Sequence, residues 1–80
     1  MTTATPPRLL TPSEVGACIR QFRELRHWSQ EQLAERADLN RSYLGEVERG
    51  LAVPSIVTVS KLAEALEIQL SSLIARCEIS

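Results

Sequence analysis

The sequence predicts an all-α domain of five short helices, and three observations carry this prediction. Apolar residues recur at spacings of three and four along successive segments, which is the period of a helix with one buried face. Four segments follow a residue that favours the N-cap position: Thr11, Ser29, Asn40 and Ser55. No stretch alternates apolar and polar residues for long enough to form a strand.

The first predicted helix covers residues 12–26. Thr11 and Glu14 have the spacing of a capping box, in which each side chain bonds to the backbone amide of the other residue. Residues 1–10 are rich in Thr and Pro and lack an apolar period. We therefore expect a flexible tail over 1–10 and one folded domain over 11–80.

A tight break separates the second and third predicted helices, which cover residues 30–37 and 41–49. Ser29 and Gln32 form another capping box at the start of the second helix. Asn40 is the cap of the third helix, because its short side chain can accept the first free amides. The two helices are thus separate elements with about three residues between them.

The last two predicted helices cover residues 56–66 and 70–76. Gly50 ends the preceding helix in a left-handed conformation, and Pro54 comes just before the next cap. The apolar stripe of the fourth helix consists of Ile56, Val59, Leu62, Ala63 and Leu66. That of the fifth consists of Leu70, Leu73, Ile74 and Cys77.

Composition excludes several classes of protein. A chain of 80 residues with 44% apolar and 24% charged residues is typical of one globular domain, and no apolar run approaches the roughly 20 residues of a membrane span. Cys18, Cys77 and His27 lack the spacing of a metal site or a disulfide framework. We expect a cytoplasmic protein with no membrane partner, cofactor, metal or small-molecule ligand.

The short connection predicts a helix-turn-helix between the second and third helices. Helices joined this tightly cross at a large angle, so the N-terminal half of the second member protrudes. On this helix Leu44 and Val47 point inward. The opposite face carries Arg41, Ser42, Gly45, Glu46 and Arg49.

This pattern resembles the Cro/C1-type (XRE-like) helix-turn-helix family of phage repressors and restriction–modification controller proteins. The matching segments are IRQFRELR (19–26), SQEQLAERA (29–37), LNRSYLGEVERG (39–50) and PSIVTVSKLAEAL (54–66). The resemblance implies a lambda-repressor-like domain that binds double-stranded DNA as a homodimer and regulates transcription from a (pseudo)palindromic operator. Asp38 departs from the family, which most often has glycine there.

The resemblance also implies roles for individual residues. The third helix would enter the major groove, where the base-reading residues are Arg41, Ser42 and Glu46. Residues expected to contact phosphates are Gln30, Asn40, Tyr43 and Arg49. Arg23 and Glu48 match a structural salt bridge between the first and third helices.

We expect the homodimer interface on the C-terminal helix, which offers more apolar surface than so small a core needs. Its predicted contacts are Leu70, Leu73, Ile74 and Ile79. A second subunit is expected because one domain of this size makes few DNA contacts, and paired half-sites lie about 34 Å apart.

The net charge of the chain affects how strongly we expect it to bind DNA. The net charge is −1, and from Arg8 to Gly50 seven arginines are matched by seven acidic residues. We therefore expect weak nonspecific DNA binding. The alternatives are the antitoxin of a toxin–antitoxin pair and a helical protein-interaction module without DNA binding. An enzyme is not expected, because no Ser/His/Asp set, phosphate-binding loop or metal-ligand spacing is present.

Overall fold

The computed structural model describes residues 10–79, excepting the side chains of residues 78 and 79, and this part of the chain forms five helices and no strand. The helices are α1 (Pro12–Leu25), α2 (Gln30–Arg36), α3 (Arg41–Glu48), α4 (Ile56–Ala65) and α5 (Leu70–Ile79). The all-α prediction is confirmed. The tail predicted for residues 1–10 lies outside the described residues, except for Leu10. None of the described helices combines the length and apolarity of a membrane span.

Both predicted capping boxes are present. Thr11 Oγ1 accepts from the Glu14 amide at 3.1 Å, and Glu14 Oε1 accepts from the Thr11 amide at 3.0 Å. The equivalent bonds between Ser29 and Gln32 measure 3.1 and 2.8 Å. These side chains satisfy amides that a helix leaves without intrahelical partners, so α1 and α2 begin where the sequence predicts.

Each of the first four helices is followed, directly after its C-cap residue, by a residue in the left-handed conformation. These residues are His27 (φ 58°), Asp38 (φ 55°), Gly50 (φ 76°) and Glu67 (φ 59°). The next amide bonds back to a carbonyl of the last turn, as from Trp28 to Arg23 at 3.2 Å, which is a Schellman motif. The predicted helix ends at 26, 37, 49 and 66 are therefore the C-cap residues, one position beyond the last helical residue.

Buried side chains form two adjoining clusters. The main cluster joins α1–α4 and contains Ile19, Leu33, Ala34, Ala37, Leu44, Val47, Leu62 and Leu66. The second joins α1, α4 and α5 and contains Cys18, Ala63, Leu73 and Cys77. Both cysteines are buried thiols.

Burial corrects two expectations for apolar residues. Leu73, which we predicted to contact a second subunit, is only 1% exposed because it fills the second cluster of its own protomer. It therefore offers no surface to a partner. Ile56, which we placed in the buried stripe of α4, is 64% exposed. The fifth helix is also longer than predicted, continuing to Ile79.

Close contact between α1 and α3 fixes the position of the third helix. A Cβ atom at Gly16 would lie 2.2 Å from the Val47 carbonyl oxygen and 2.6 Å from that of Glu48. Only glycine allows this approach. The last turn of α3 is therefore held against α1, while Arg41 and Ser42 in its first turn are exposed.

Candidate nucleic-acid interface

The turn between α2 and α3 exposes one face of the third helix. Leu44 and Val47 are fully buried and anchor the inner face of α3. On the outer side Arg41, Ser42, Glu46 and Arg49 are exposed. These four residues, with Gln30 and Gly45, line a shallow polar depression, which we call the α3 depression. The structure thus brings all three predicted base readers together with two of the four predicted phosphate contacts.

Arg41 is an exposed cation of this surface with only a weak acidic partner. Its side chain is 66% exposed, and its nearest acidic partner is Glu31, whose Oε2 atom lies 4.0 Å from Nη1. Exposed pairs with such separations contribute little to stability. The guanidinium can therefore exchange this carboxylate for another acceptor at small energetic cost.

Asn40 and Tyr43 are both engaged in local hydrogen bonds. Asn40 Oδ1 accepts from the amides of Ser42 at 2.8 Å and Tyr43 at 3.2 Å, which caps α3. Its amide nitrogen is the group that remains to donate. The Tyr43 hydroxyl donates to Thr58 Oγ1 at 3.4 Å, and Thr58 Oγ1 lies 3.1 Å from Ser55 Oγ.

A buried carboxylate connects the helix-turn-helix to α1. Glu48, whose side chain is 2% exposed, receives two bonds from Arg23: Nε to Oε2 at 2.8 Å and Nη2 to Oε1 at 2.9 Å. Arg23 also donates through Nη1 to the Trp28 carbonyl at 2.8 Å. The hydrogen bond to Glu48 raises the pKa of Arg23 above its ordinary value. The pair is therefore an internal tie between α1 and α3.

Gln30 joins this network from α2. Its Nε2 atom donates to Glu48 Oε1 at 3.0 Å, so one carboxylate of α3 holds residues of both α1 and α2. This bond could not be predicted from the sequence, because Gln30 and Glu48 lie on different helices and only the packing of α2 on α3 brings them together. Gln30 thereby belongs both to the internal network and to the α3 depression.

Trp28 has a packing role. It lies against the main cluster, and the guanidinium of Arg36 covers its ring at 4.3 Å from the centroid. A second guanidinium, that of Arg26, lies 5.5 Å from the same ring and donates to the Leu66 carbonyl. These cation–π contacts stabilise the junction of α1, α2 and α4.

An apolar groove lies at the junction of α1, α4 and α5, and we call it the α4–α5 groove. Its lining residues include Leu10, Val15, Val53, Ile56, Val59 and Ile74. Val53 and Ile56 are 76% and 64% exposed at its rim. Among the predicted dimer contacts, Ile74 lines the groove, Leu70 packs partly buried on the second cluster, and the side chain of Ile79 lies outside the description.

The fold and the α3 depression define a helix-turn-helix domain of the type predicted from the sequence. The chain belongs to the helix-turn-helix family HTH_3, whose model matches residues 19–73.

Several relatives named as regulators are similar to this part of the chain. The immunity repressor protein of Bacillus phage phi105 is 45% identical over 60 residues, which are 75% of this chain and 42% of the repressor. The restriction–modification controller protein C.AhdI from Aeromonas hydrophila is 42% identical, with a TM-score of 0.75 over 78% of this chain and 94% of that one. SinR, a master regulator for biofilm formation solved in complex with DNA, is 34% identical, with a TM-score of 0.70 over 75% of this chain and 97% of that one.

The chain spans less than half the length of the curated relatives that share 44–45% identity with it. The functions of those complete proteins can therefore only be proposed for this chain.

Proposed function

We propose that this protein is a sequence-specific DNA-binding regulator of transcription, with α3 inserted in the major groove. The observation that carries the proposal is the α3 depression, where arginine, serine and glutamate side chains are exposed on one face of a helix that is anchored only along its other face. A helix of this width fits the major groove. Similarity to a phage repressor, and to a regulator solved with DNA, supports the same function.

Base reading is assigned to the exposed first turns of α3. Arg41 donates two hydrogen bonds to guanine O6 and N7, since its guanidinium has no strong competing partner. Glu46 accepts from a cytosine amino group, and Ser42 contacts either base type. Contacts of this kind discriminate between sequences, whereas phosphate contacts set position and orientation.

Phosphate contacts are assigned to the edge of the same surface. Gln30 keeps one amide N–H after bonding to Glu48, Asn40 keeps its amide nitrogen, and the Arg49 guanidinium is exposed. The Tyr43 hydroxyl can turn from Thr58 towards a phosphate, because their bond is long at 3.4 Å. So few cations give weak nonspecific binding, and specificity then depends on the bases.

The regulator acts as a homodimer in the cytoplasm, with the second copy on the α4–α5 groove. The groove contains Ile74, which is one of the predicted dimer contacts on α5. Its rim also exposes two further apolar side chains, Val53 and Ile56. Residues 51–60 also contain no charged side chain, so two copies meet there without burying a charge. The buried thiols fit a reducing compartment. The dimer would place two α3 helices on paired half-sites of a pseudo-palindrome.

Selection from random duplex DNA tests this function. The full chain is incubated with a randomised duplex at low salt, and bound DNA is recovered and sequenced over several rounds. We expect an enriched sequence with two inverted half-sites about one helical turn apart. If no sequence is enriched at low salt, the protein is not a sequence-specific regulator, and a protein-interaction module becomes the better interpretation.

A further inference from the structure

The inner face of α4 carries a polar side chain that the core does not require. Thr58 is only 8% exposed and shares this buried face with Leu62. A buried hydroxyl group is costly unless it forms hydrogen bonds. Glu48, the other buried polar or charged residue among those described, has its partners in Arg23 and Gln30. The hydroxyl group of Thr58 therefore also needs an explanation.

Capping of α4 does not explain the Thr58 hydroxyl. Ser55 Oγ accepts from the Thr58 amide at 3.1 Å, and this bond uses only the backbone of residue 58. The hydroxyl makes two other contacts, with Ser55 Oγ at 3.1 Å and with the Tyr43 hydroxyl at 3.4 Å. Tyr43 belongs to α3 and is one of the proposed phosphate contacts. Ser55, Thr58 and Tyr43 thus form a hydroxyl chain that connects the start of α4 to a proposed DNA contact.

The bonds of the hydroxyl chain can run in two directions. Each hydroxyl has one proton to donate and two lone pairs with which to accept, and its proton rotates. When Ser55 and Tyr43 both donate to Thr58, the Thr58 proton is not used within the chain. When Thr58 donates to Tyr43 instead, the Tyr43 proton is released to an acceptor outside the chain. All the bonds then run the same way, and aligned hydrogen bonds strengthen one another.

We propose that Thr58 is a positioning residue for a DNA phosphate contact made by Tyr43. A phosphate oxygen accepts hydrogen bonds and has no proton to give, so it is the acceptor that the outward direction of the chain requires. Ser55 then donates to Thr58, Thr58 donates to Tyr43, and the Tyr43 hydroxyl donates to the phosphate. The Tyr43 oxygen stays beside Thr58, and only the protons turn. This inference rests on the proposed function, which assigns a phosphate contact to Tyr43.

Two substitutions of Thr58 separate its hydroxyl group from its packing. Thr58→Val removes the hydroxyl but keeps the branched shape and the amide that Ser55 caps, whereas Thr58→Ser keeps the hydroxyl and loses a methyl group. We expect Thr58→Val to bind a duplex with a single selected half-site about tenfold more weakly than wild type, and Thr58→Ser to retain most of the affinity. Ser60→Ala is the control, because it removes an exposed hydroxyl of α4 outside the hydroxyl chain. Fluorescence anisotropy measures the affinities, and circular dichroism checks the fold.

A double-mutant cycle with Tyr43→Phe tests whether Thr58 acts through Tyr43. Tyr43→Phe removes the group that donates to the phosphate, so it should also weaken binding by about tenfold. Adding Thr58→Val to Tyr43→Phe should cause no further loss, because both changes break the same contact. Neither change should alter the salt dependence of binding, since a hydroxyl carries no charge, whereas Arg49→Ala should reduce the salt slope by about 1.

Neutral phosphate analogues locate the contact. A methylphosphonate, in which a methyl group replaces one charged phosphate oxygen, is introduced at each position of the half-site in turn. At one position wild-type protein should lose about tenfold in affinity, while Tyr43→Phe and Thr58→Val should lose much less. If Thr58→Val does not fold, Thr58→Ala replaces it, because it also removes the hydroxyl group.

Four results overturn the proposal. Wild-type affinity in a folded Thr58→Val variant shows that the hydroxyl does not serve DNA binding, and equal losses in Thr58→Val and Thr58→Ser show that only packing is affected. Additive losses in the cycle show that Thr58 does not act through Tyr43. Wild-type affinity in Tyr43→Phe shows that its hydroxyl contacts no phosphate. Each of these results leaves the selected sequence in place and overturns this proposal alone, whereas failure to select any sequence overturns the proposed function as well.

Discussion

Three residues that close helices in this protein carry a conformational cost that glycine would not. His27, Asp38 and Glu67 all adopt the left-handed region, at φ values between 55° and 59°. A Cβ atom makes this region unfavourable by roughly 1–2 kcal/mol per residue. The Schellman hydrogen bonds and the packing of the following apolar residue hold these turns in place.

Asp38→Gly should stabilise the protein, because Asp38 adopts a left-handed conformation in the turn of the helix-turn-helix and glycine adopts it without strain. We expect the free energy of unfolding to rise by about 1 kcal/mol. Asp38→Ala is the control, since it also removes the carboxylate and its 4.0 Å contact with Lys61 but keeps a Cβ atom. Urea denaturation of both variants measures the difference. If alanine stabilises as much as glycine, the gain comes from lost charge and not from the backbone.

Glu48 shows how a residue outside the proposed DNA contacts can still affect them. Its buried carboxylate pairs with Arg23 and also orients the Gln30 amide, which lies in the α3 depression. Removing one member of a buried pair leaves an uncompensated charge, which destabilises by about 3–5 kcal/mol. Substitutions at Glu48 therefore alter folding and the proposed phosphate contact of Gln30 together, and they are a poor test of binding alone.

At the scale of the helix, the exposed face of α3 sets the proposed specificity. Arg41→Ala should weaken binding to the selected duplex by about 1–3 kcal/mol and relax the preference at one base pair. Fold stability should change little, because the side chain is 66% exposed and the Glu31 carboxylate lies 4.0 Å away. Fluorescence anisotropy on duplexes with each single base change measures both effects.

The control for this variant is Arg36→Ala. Arg36 is also an exposed arginine, but it lies over the Trp28 ring on α2 and does not line the α3 depression. It should leave the selected sequence unchanged. A relaxed preference in the Arg36 variant and none in the Arg41 variant would remove Arg41 from the base readers.

Helix boundaries were predictable from sequence because local chemistry fixes them. Thr11, Ser29 and Asn40 cap the helices that they were predicted to cap, through bonds to amides two or three residues away. The helix-turn-helix followed from these boundaries and from the buried Leu44 and Val47. Arrangements that depend only on neighbouring residues are therefore readable from one sequence.

The burial and the partners of individual side chains were not predictable in the same way, because they depend on which helices pack together. Periodicity places Leu73 and Ile56 on apolar stripes but does not show which part of a stripe another helix covers. Packing of α5 on α1 and α4 buries Leu73, while the first turn of α4 leaves Ile56 exposed. The bond between Gln30 and Glu48 likewise arises from tertiary packing.

At the scale of the whole molecule, a net charge of −1 means that long-range attraction to DNA is weak. Under the proposed function each protomer would supply few phosphate contacts, and two linked α3 helices would be needed for useful affinity. Because a neutral surface also reduces repulsion between copies, the same charge balance favours self-association. The exposed apolar side chains around the α4–α5 groove, Val53 and Ile56, are the surface on which we expect that association.

Ile56→Asp should convert the protein to a monomer that keeps its fold. The Ile56 side chain is 64% exposed at the rim of the groove, so a carboxylate there is solvated in the monomer but would be buried without a partner in the dimer. Leu25→Asp is the matched control, because Leu25 is 70% exposed and lies on a different surface, beside Gln21 and Glu24. Sedimentation velocity measures the mass of each variant, and circular dichroism checks its helicity.

DNA binding by the same two variants separates dimerisation from base reading. Ile56→Asp should bind a single half-site as wild type does, because α3 is unaltered. It should lose the additional affinity for two half-sites about 34 Å apart, since that gain comes from linking two copies. Leu25→Asp should keep the gain. An Ile56 variant that remains dimeric and binds the paired site normally would place the interface elsewhere, with Leu70 and the exposed Val57 as the next residues to substitute.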